Sequence, residues 1–369
     1  MKVIISGGGT GGHIFPAIAI ADALKVIRPD TKIHFSGAIG KMEMDLVPKA
    51  GYDITGLPIS GFQRKITLQN LSFPFRVLKS LWKAWRLLKS FKPDVAIGVG
   101  GYASGPTLQV ASWLGIPIMV QEQNSYAGVT NRVLGRKAKK IFVAYDHMDK
   151  FFPADKIFFT GNPVRSKIGS SLPDKKESLL KLGLNPENKT VFIFGGSLGA
   201  KTLNEAVLHG LTTGGKQENL NIIWQIGKYY WEKYSQSEAA KHKNVRVFPF
   251  IEDMAQMYAA ADLVVCRAGA LTISELAILG KPSLLVPSPN VAEDHQTANA
   301  MALVNRNAAV LVKDKVAVEN VMKEVVSLLK DENKLQELTK NIKYFAKTDA
   351  AIKIAEEILT YDSSKIQKS

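Results

Sequence analysis

The 369-residue chain holds one cysteine, Cys266, so no disulfide can form within it and a disulfide-stapled secreted scaffold is excluded. Cys266 closes the apolar run "DLVVC" and reads as a buried thiol in a protein of a reducing cytoplasm. Acidic residues are scarce: 33 Asp and Glu stand against 48 Lys and Arg, a net charge of +15. That excess calls for an acidic partner, whether nucleic acid, anionic lipid or a phosphorylated substrate. No aspartate is followed two residues later by another, and no His/Asp cluster has ligand spacing, so neither a metal nor a cofactor is expected. The nearest imitation, "DHMD" at Asp146–Asp149, reads as a solvated turn. No secretory leader is expected either, since "MKVIIS" runs straight into a glycine loop. One stretch without charge, Val95 to Gln121, imitates a membrane span. Gly98, Gly100, Gly101, Gly105, Pro106, Gly115 and Pro117 break it, so it reads as strand, glycine turn, short helix and strand.

What the chain does have is alternation. "KVIIS", "KIHFSG", "VAIGV", "PIMVQE" and "KIFVA" are short apolar runs between helical patterns. "TVFIFG", "LNIIWQIG", "VRVFPF", "LVVCR", "PSLLVPSP" and "AAVLV" repeat the arrangement in the second half. Strands apolar throughout, separated by helices, predict parallel sheets covered on both faces. "KVIISGGGTGGH" and "TVFIFGGSLGAK" are each strand, glycine turn and helix start, which predicts two similar α/β domains. A polar, turn-rich stretch after "GNPVR" is the expected hinge. The expected domains are 1–163 and 164–344, and from about Lys334 onward the chain is expected to be helical and Lys-rich.

Gly7, Gly9 and Gly12 fit the spacing G-x-G-x-x-G, but a dinucleotide site also needs a carboxylate at the end of the second strand. That strand ends in Phe35, Ser36 and Gly37, which speaks against a dinucleotide. The loop instead brings Thr10 and His13 to a helix entrance, where exposed N–H groups favour an anion or a sugar oxygen. His13 there reads either as a neutral general base or as a residue that caps the loop or packs on Phe15. In the second half, "RAGALTISEL" follows a strand and opens a helix at Ala270, Leu271 and Thr272, suited to a pyrophosphate. Glu275 supplies a carboxylate for ribose hydroxyls, and "EDHQTANA" offers His295, Gln296 and Asn299 to a sugar. Together these segments point to a nucleotide sugar.

Residues 73–93, "FPFRVLKSLWKAWRLLKSFKP", place Phe75, Leu78, Leu81, Trp82, Trp85 and Leu88 on one helical arc, flanked by Arg76, Lys79, Lys83 and Arg86. Such a face suits an anionic bilayer, or equally a helix that covers the sheet while its cations snorkel. Cations and aromatics are not interleaved on a stacking strand, which speaks against nucleic acid.

The motifs "GGGTGGHIFPAIAIA", "GVGGYASGP", "QEQNSYAGVTNR", "GNPVR", "FGGSLGA", "FIEDM", "CRAGALTISE" and "HQTANA" occur in that order from Met1 to about Ile358, and through them the chain resembles the bacterial MurG family. The resemblance implies two Rossmann-like domains with parallel sheets facing each other across a cleft, the GT-B arrangement. It also implies an inverting, metal-independent transfer of N-acetylglucosamine from UDP-N-acetylglucosamine to the 4-hydroxyl of the N-acetylmuramoyl residue of lipid I, giving lipid II for peptidoglycan. Carried onto matching positions, the donor contacts are Thr10, Gly11, Gly12, Asn124, Arg165, Ser197, Ile251 (through its backbone), Ala270, Leu271, Thr272, Ile273, Ser274, Glu275 and Gln296. His295 stands where many relatives have a first glutamine. His13 is the expected base, with Glu122 in reserve. A helix within about 345–362 is expected to return to the first domain. A polyprenyl acceptor favours docking through Phe75, Leu78, Lys79, Trp82, Lys83, Trp85 and Arg86 on an anionic membrane, as a peripheral protein of the cytoplasmic side. The division and elongation machinery is the further class of partner this implies. A glycolipid glycosyltransferase or a UDP-N-acetylglucosamine epimerase of the same fold is the alternative.

Overall fold

The computed structural model describes residues 1–59, 73–164, 172–196, 198–213, 219–291 and 294–362. The chain divides into two compact units, Met1–Arg165 with Lys347–Ser369, and Ser166–Ala346. The break after Arg165 falls two positions beyond the division read from sequence.

The first unit runs β1 (Lys2–Ser6), α1 (Gly11–Ile27), β2 (Lys32–Ala38), α2 (Glu43–Lys49), β3 (Asp53–Leu57), α3 (Phe73–Phe91), β4 (Val95–Gly98), α4 (Ser104–Trp113), β5 (Ile118–Glu122), α5 (Val129–Gly135), β6 (Lys140–Val143) and β7 (Ile157–Phe159). Its strands form one parallel sheet in the order β3-β2-β1-β4-β5-β6-β7. Both faces are covered: Ile4, Ala96 and Val120 enter one core, and Val3, Ile5, Ile97 and Met119 enter the other. This explains why the strands are apolar throughout rather than alternating. The charge-free stretch resolves into β4, α4 and β5, and among the described residues no helix is long and apolar enough to cross a membrane.

The second unit runs α6 (Lys175–Lys181), β8 (Lys189–Phe194), α7 (Lys201–Thr213), β9 (Leu220–Gln225), α8 (Trp231–Tyr234), β10 (Val245–Phe248), α9 (Met254–Ala260), β11 (Leu263–Cys266), α10 (Ala270–Leu279), β12 (Ser283–Leu285), α11 (His295–Val304), β13 (Val310–Leu311), α12 (Ala317–Lys330) and α13 (Glu332–Ile342). The sheet order, β10-β9-β8-β11-β12-β13, repeats the pattern of the first unit, again all parallel. In each sheet the strand order reverses beside the first strand, at β1/β4 and at β8/β11. Loops beyond the carboxyl ends of those strands are where doubly wound sheets bind ligands.

The last helix, α14 (Ala350–Leu359), belongs to the first unit. Ile354, Ala355 and Ile358 enter the core that holds Ile14, Ile18 and Leu24 of α1. The Ile14–Ala21 stretch of α1 is therefore covered on nearly every side, which accounts for the unbroken apolar composition of "IFPAIAIA", whereas Asp22, Lys25 and Val26 beyond it are exposed. Lys140 of β6 pairs with Glu357, and Arg28, just past α1, pairs with Asp362.

Candidate active site

At the first switch point the chain leaves β1 through Gly7–Thr10 and enters α1 with Thr10 as an extended N-cap (φ −145°, ψ 158°). Gly11 and Gly12, expected in the loop, are the first residues of the helix itself, where leading N–H groups lack intrahelical acceptors. The loop is held from behind by Glu43, a buried residue of α2 to which sequence reasoning gave no role. Its carboxylate accepts hydrogen bonds from the backbone N–H of Gly9 and of Ala38, each at 2.8 Å. A side chain at Gly37 would meet Glu43 Cγ at 2.5 Å, so the end of β2 has no room for the ribose-binding carboxylate of a dinucleotide fold. Ser36 points inward and bonds Ser6 Oγ at 2.9 Å and Thr107 Oγ1 at 2.8 Å.

His13 lies in the first turn of α1, half-buried, with Nδ1 2.9 Å from Gln123 Oε1. The turn after β4 comes up against it. A Cβ at Gly100 would meet the imidazole at 2.8 Å, and Gly100 holds φ +89°, so glycine is required there on both counts. The next residue, Gly101, abuts the Gly8 carbonyl, which joins the loops after β1 and β4 into one surface.

Glu122 ends β5 and is buried. Its carboxylate accepts four hydrogen bonds, three from the following loop, Asn124 N (3.0 Å), Asn124 Nδ2 (3.2 Å) and Gly128 N (3.1 Å), and one from Asn131 Nδ2 of α5 (2.9 Å). A carboxylate so engaged shapes the 122–128 loop and fixes Asn124.

At the second switch point Gly269 is an extended N-cap, and the N–H groups of Ala270, Leu271 and Thr272 head α10. The Ile273 side chain is buried in the core, so only its backbone faces this site, and the Ser274 hydroxyl donates back to the Ala270 carbonyl at 3.0 Å. Glu275 accepts a 2.9 Å hydrogen bond from Tyr258 Oη. Tyr258 is buried, and burial, then the adjacent Glu275 charge, push its phenol well above the ordinary tyrosine range, so it stays a donor that aims the carboxylate. Burial likewise pushes the Cys266 thiol up, in keeping with its expected place in the core. Arg267 spans the ends of neighbouring strands, donating to Val286 O at 3.0 Å and to Asp314 Oδ1 at 2.5 Å.

Gln296, in the first turn of α11, accepts from Ser288 N at 2.8 Å through Oε1, which points its amide group in a fixed direction. His295 begins that helix. Asn299 is fully buried, donating to Ala268 O at 3.4 Å, so the sugar-reading role considered for it gives way to support of the turn before α10. Ile251 is buried beside Phe194 and Met257, leaving its backbone for recognition. Arg165 and Ser197 lie outside the described residues.

Helix α3 divides its apolar residues between two faces. Ala84 and Leu88 are buried and Leu81 packs beside them, whereas Phe75 (74%), Leu78 (63%), Trp82 (56%) and Trp85 (46%) stand exposed. The broad arc read from sequence thus divides: its Leu81 and Leu88 edge covers the sheet, and Phe75, Leu78, Trp82 and Trp85 face outward. Lys79 and Arg86 are exposed and Lys83 half-buried beside the aromatics, with the Arg86 guanidinium 5.0 Å from the Trp82 ring.

Residues 3–143 match the N-terminal domain of glycosyltransferase family 28, and residues 190–356 match its C-terminal domain. The chain is 52% identical over 361 residues to the UDP-N-acetylglucosamine–N-acetylmuramyl-(pentapeptide) pyrophosphoryl-undecaprenol N-acetylglucosamine transferase of Bacteroides fragilis, covering 97% of this chain and 95% of that protein. The crystal structure of Acinetobacter baumannii MurG is 32% identical, with a TM-score of 0.77, covering 97% of this chain and 99% of that one. The chain belongs to the MurG family. Its two parallel-sheet α/β domains are those of the MurG fold, and the family's enzymes are glycosyltransferases. The UDP-N-acetylglucosamine 2-epimerase of Neisseria meningitidis, at 17% identity and a TM-score of 0.67, shares the fold alone.

Proposed function

We propose that this chain transfers N-acetylglucosamine from UDP-N-acetylglucosamine to the 4-hydroxyl of the N-acetylmuramoyl residue of lipid I, forming lipid II with inversion at the anomeric carbon. The observation that carries the reading is full-length 52% identity to a transferase so named, joined to two glycine-loop switch points built for different tasks. In the second unit the α10 N-terminus, with Ala270, Leu271 and Thr272, receives the UDP pyrophosphate, and Glu275, aimed by Tyr258, receives the ribose hydroxyls. The Ile251 backbone addresses uracil, Gln296 the sugar hydroxyls, and Ser197 and Arg165 the phosphates. In the first unit Thr10, Gly11, Gly12 and Asn124 complete the donor contacts, and His13 takes the proton of the attacking hydroxyl.

The chemistry is a single displacement. The acceptor oxygen bonds to the anomeric carbon as the bond to the UDP oxygen breaks. Its proton passes to the imidazole while helix N–H groups hold the charge gathering on the diphosphate. One donor so aimed contributes about 3 kcal/mol to the transition state. Because a helix N-terminus neutralises the leaving group, transfer proceeds without a divalent ion. The exposed face of α3, four large apolar side chains bordered by cations, docks the enzyme peripherally on the anionic cytoplasmic membrane surface where its lipid acceptor lies.

The test is transfer of labelled N-acetylglucosamine from the UDP donor to a short-chain lipid I analogue with EDTA present. Product that depends on the lipid and persists in EDTA is expected. UDP release at the same rate without lipid would replace the proposal with a hydrolase or epimerase.

A further inference from the structure

Between β5 and the turn after β4 lies a buried row of side-chain amides that ends on His13. Gln123 is buried, and its Nε2 donates to the Val99 carbonyl at 2.9 Å and to Gln121 Oε1. Gln121, also buried, in turn donates through Nε2 to Asn162 Oδ1 at 3.2 Å. Asn162 donates through Nδ2 to the Gln123 backbone carbonyl at 3.1 Å. Two of these acceptors, the carbonyls of Val99 and Gln123, can never donate, and they fix which end of each amide is nitrogen. Turning the Gln123 amide over would set its oxygen against the Val99 carbonyl and strand two buried acceptors. Its Oε1 must therefore face His13 Nδ1, 2.9 Å away. An amide oxygen accepts only, so Nδ1 carries the proton. The row is polarised from one end to the other, from the imidazole to the Asn162 of "GNPVR".

We propose that Gln123 is a positioning residue for the transfer reaction: through Nδ1 it holds His13 in the tautomer whose lone pair is on Nε2, the nitrogen that takes the acceptor proton. The assignment rests on His13 being the base. Gln121 and Asn162 act one and two bonds further back, keeping the Gln123 amide from turning over. In the chemical step the proton leaves the acceptor hydroxyl for Nε2 as the new glycosidic bond forms and UDP departs. Nδ1–H donates to Gln123 before and after, so the amide carries no proton and only the ring orientation and tautomer are set. Gly100 closes the arrangement from the other side, because any side chain there would push the imidazole off this acceptor.

Two measurements test it. In enzyme labelled with ¹⁵N-histidine, the His13 ring signal, assigned by its loss in His13→Asn, is expected to show the Nδ1–H tautomer. An Nε2–H tautomer in the unaltered enzyme overturns the proposal. Gln123→Met keeps the volume and removes the acceptor: kcat is expected to fall about 10–100-fold, with the KM for UDP-N-acetylglucosamine within about twofold, and the ring signal to lose its Nδ1–H character. Gln123→Glu, which restores an acceptor oxygen at Nδ1, is expected to recover that signal. If His13→Ala abolishes turnover but Gln123→Met leaves kcat and the tautomer unchanged, the positioning role is wrong and the base stands. If His13→Ala turns over near normally, the base assignment itself falls, and this role for Gln123 falls with it.

Discussion

Glu43 and Lys281 show two ways in which a single side chain can matter here without touching substrate. The Glu43 carboxylate is buried and takes two backbone N–H bonds that define the opening glycine loop. Glu43→Ala strands both donors and leaves a cavity, so urea unfolding should report a loss of about 3 kcal/mol, and kcat/KM should fall as the loop loosens. Lys281, half-buried with its ammonium on the Ala261 carbonyl at 2.9 Å, is pulled down to about 8 from its ordinary 10.5, chiefly by desolvation. The unfolded chain therefore binds more protons there between about pH 8 and 10.5, and this group's contribution to stability rises with pH across that window. Denaturant midpoints taken at several pH values in that range should show the slope, and Lys281→Met should flatten it.

Single residues are also where the sequence was least legible. The glycines and His13 announce themselves by spacing along one loop. The groups that hold the site residues do not: Glu43, Gln123 and Tyr258 bond Gly9, His13 and Glu275 across 34, 110 and 17 positions, and although Gln123 lies inside a quoted motif, its own role there is not marked. Asn299 and the Ile273 side chain are a different case. Each sits inside a motif that carries function, and only the direction in which its side chain points shows that it serves the core.

At the scale of elements the sequence reads well, because strand and helix periods are local. Eleven strands follow the apolar runs, and both sheets are parallel as continuous apolar strands require; β3 and β7, the two edge strands of the first sheet, are less buried and carry no such run. Helix α3 is the instructive exception. An arc drawn around a helix says which residues share a side but not what covers it. The sheet covers its Ala84 and Leu88 edge and leaves Trp82 and Trp85 outside. Replacing both tryptophans by alanine should change folding stability by less than about 0.5 kcal/mol. It should sharply weaken sedimentation with vesicles containing anionic lipid and spare transfer to a short-chain acceptor in detergent. Unchanged vesicle binding would move the membrane contact elsewhere.

At the scale of the whole molecule, two units with separate cores predict separable unfolding. Ile354 of α14 is fully buried against α1, so Ile354→Ala should destabilise the first unit by about 2–4 kcal/mol. In a thermal scan the transition of that unit should drop, while UDP, on the proposal that it binds the second unit, should still raise the other transition. A uniform shift of a single transition would show that the units unfold together. The return of the tail was legible as part of a family pattern, whereas its consequence for α1, a second cover over the apolar Ile14–Leu24 stretch, is visible only in the packing.

The return of α14 also bears on how the protein is made. The second unit is threaded through the first as an insertion, so the ribosome finishes it while the earlier sheet still lacks its final layer. The N-terminal half cannot bury the outer side of α1 until the last residues are translated. Nascent chains must therefore carry an open apolar seam for most of synthesis, in the same half that displays the exposed aromatics of α3. Chaperone dependence should accordingly belong to the part made first and completed last.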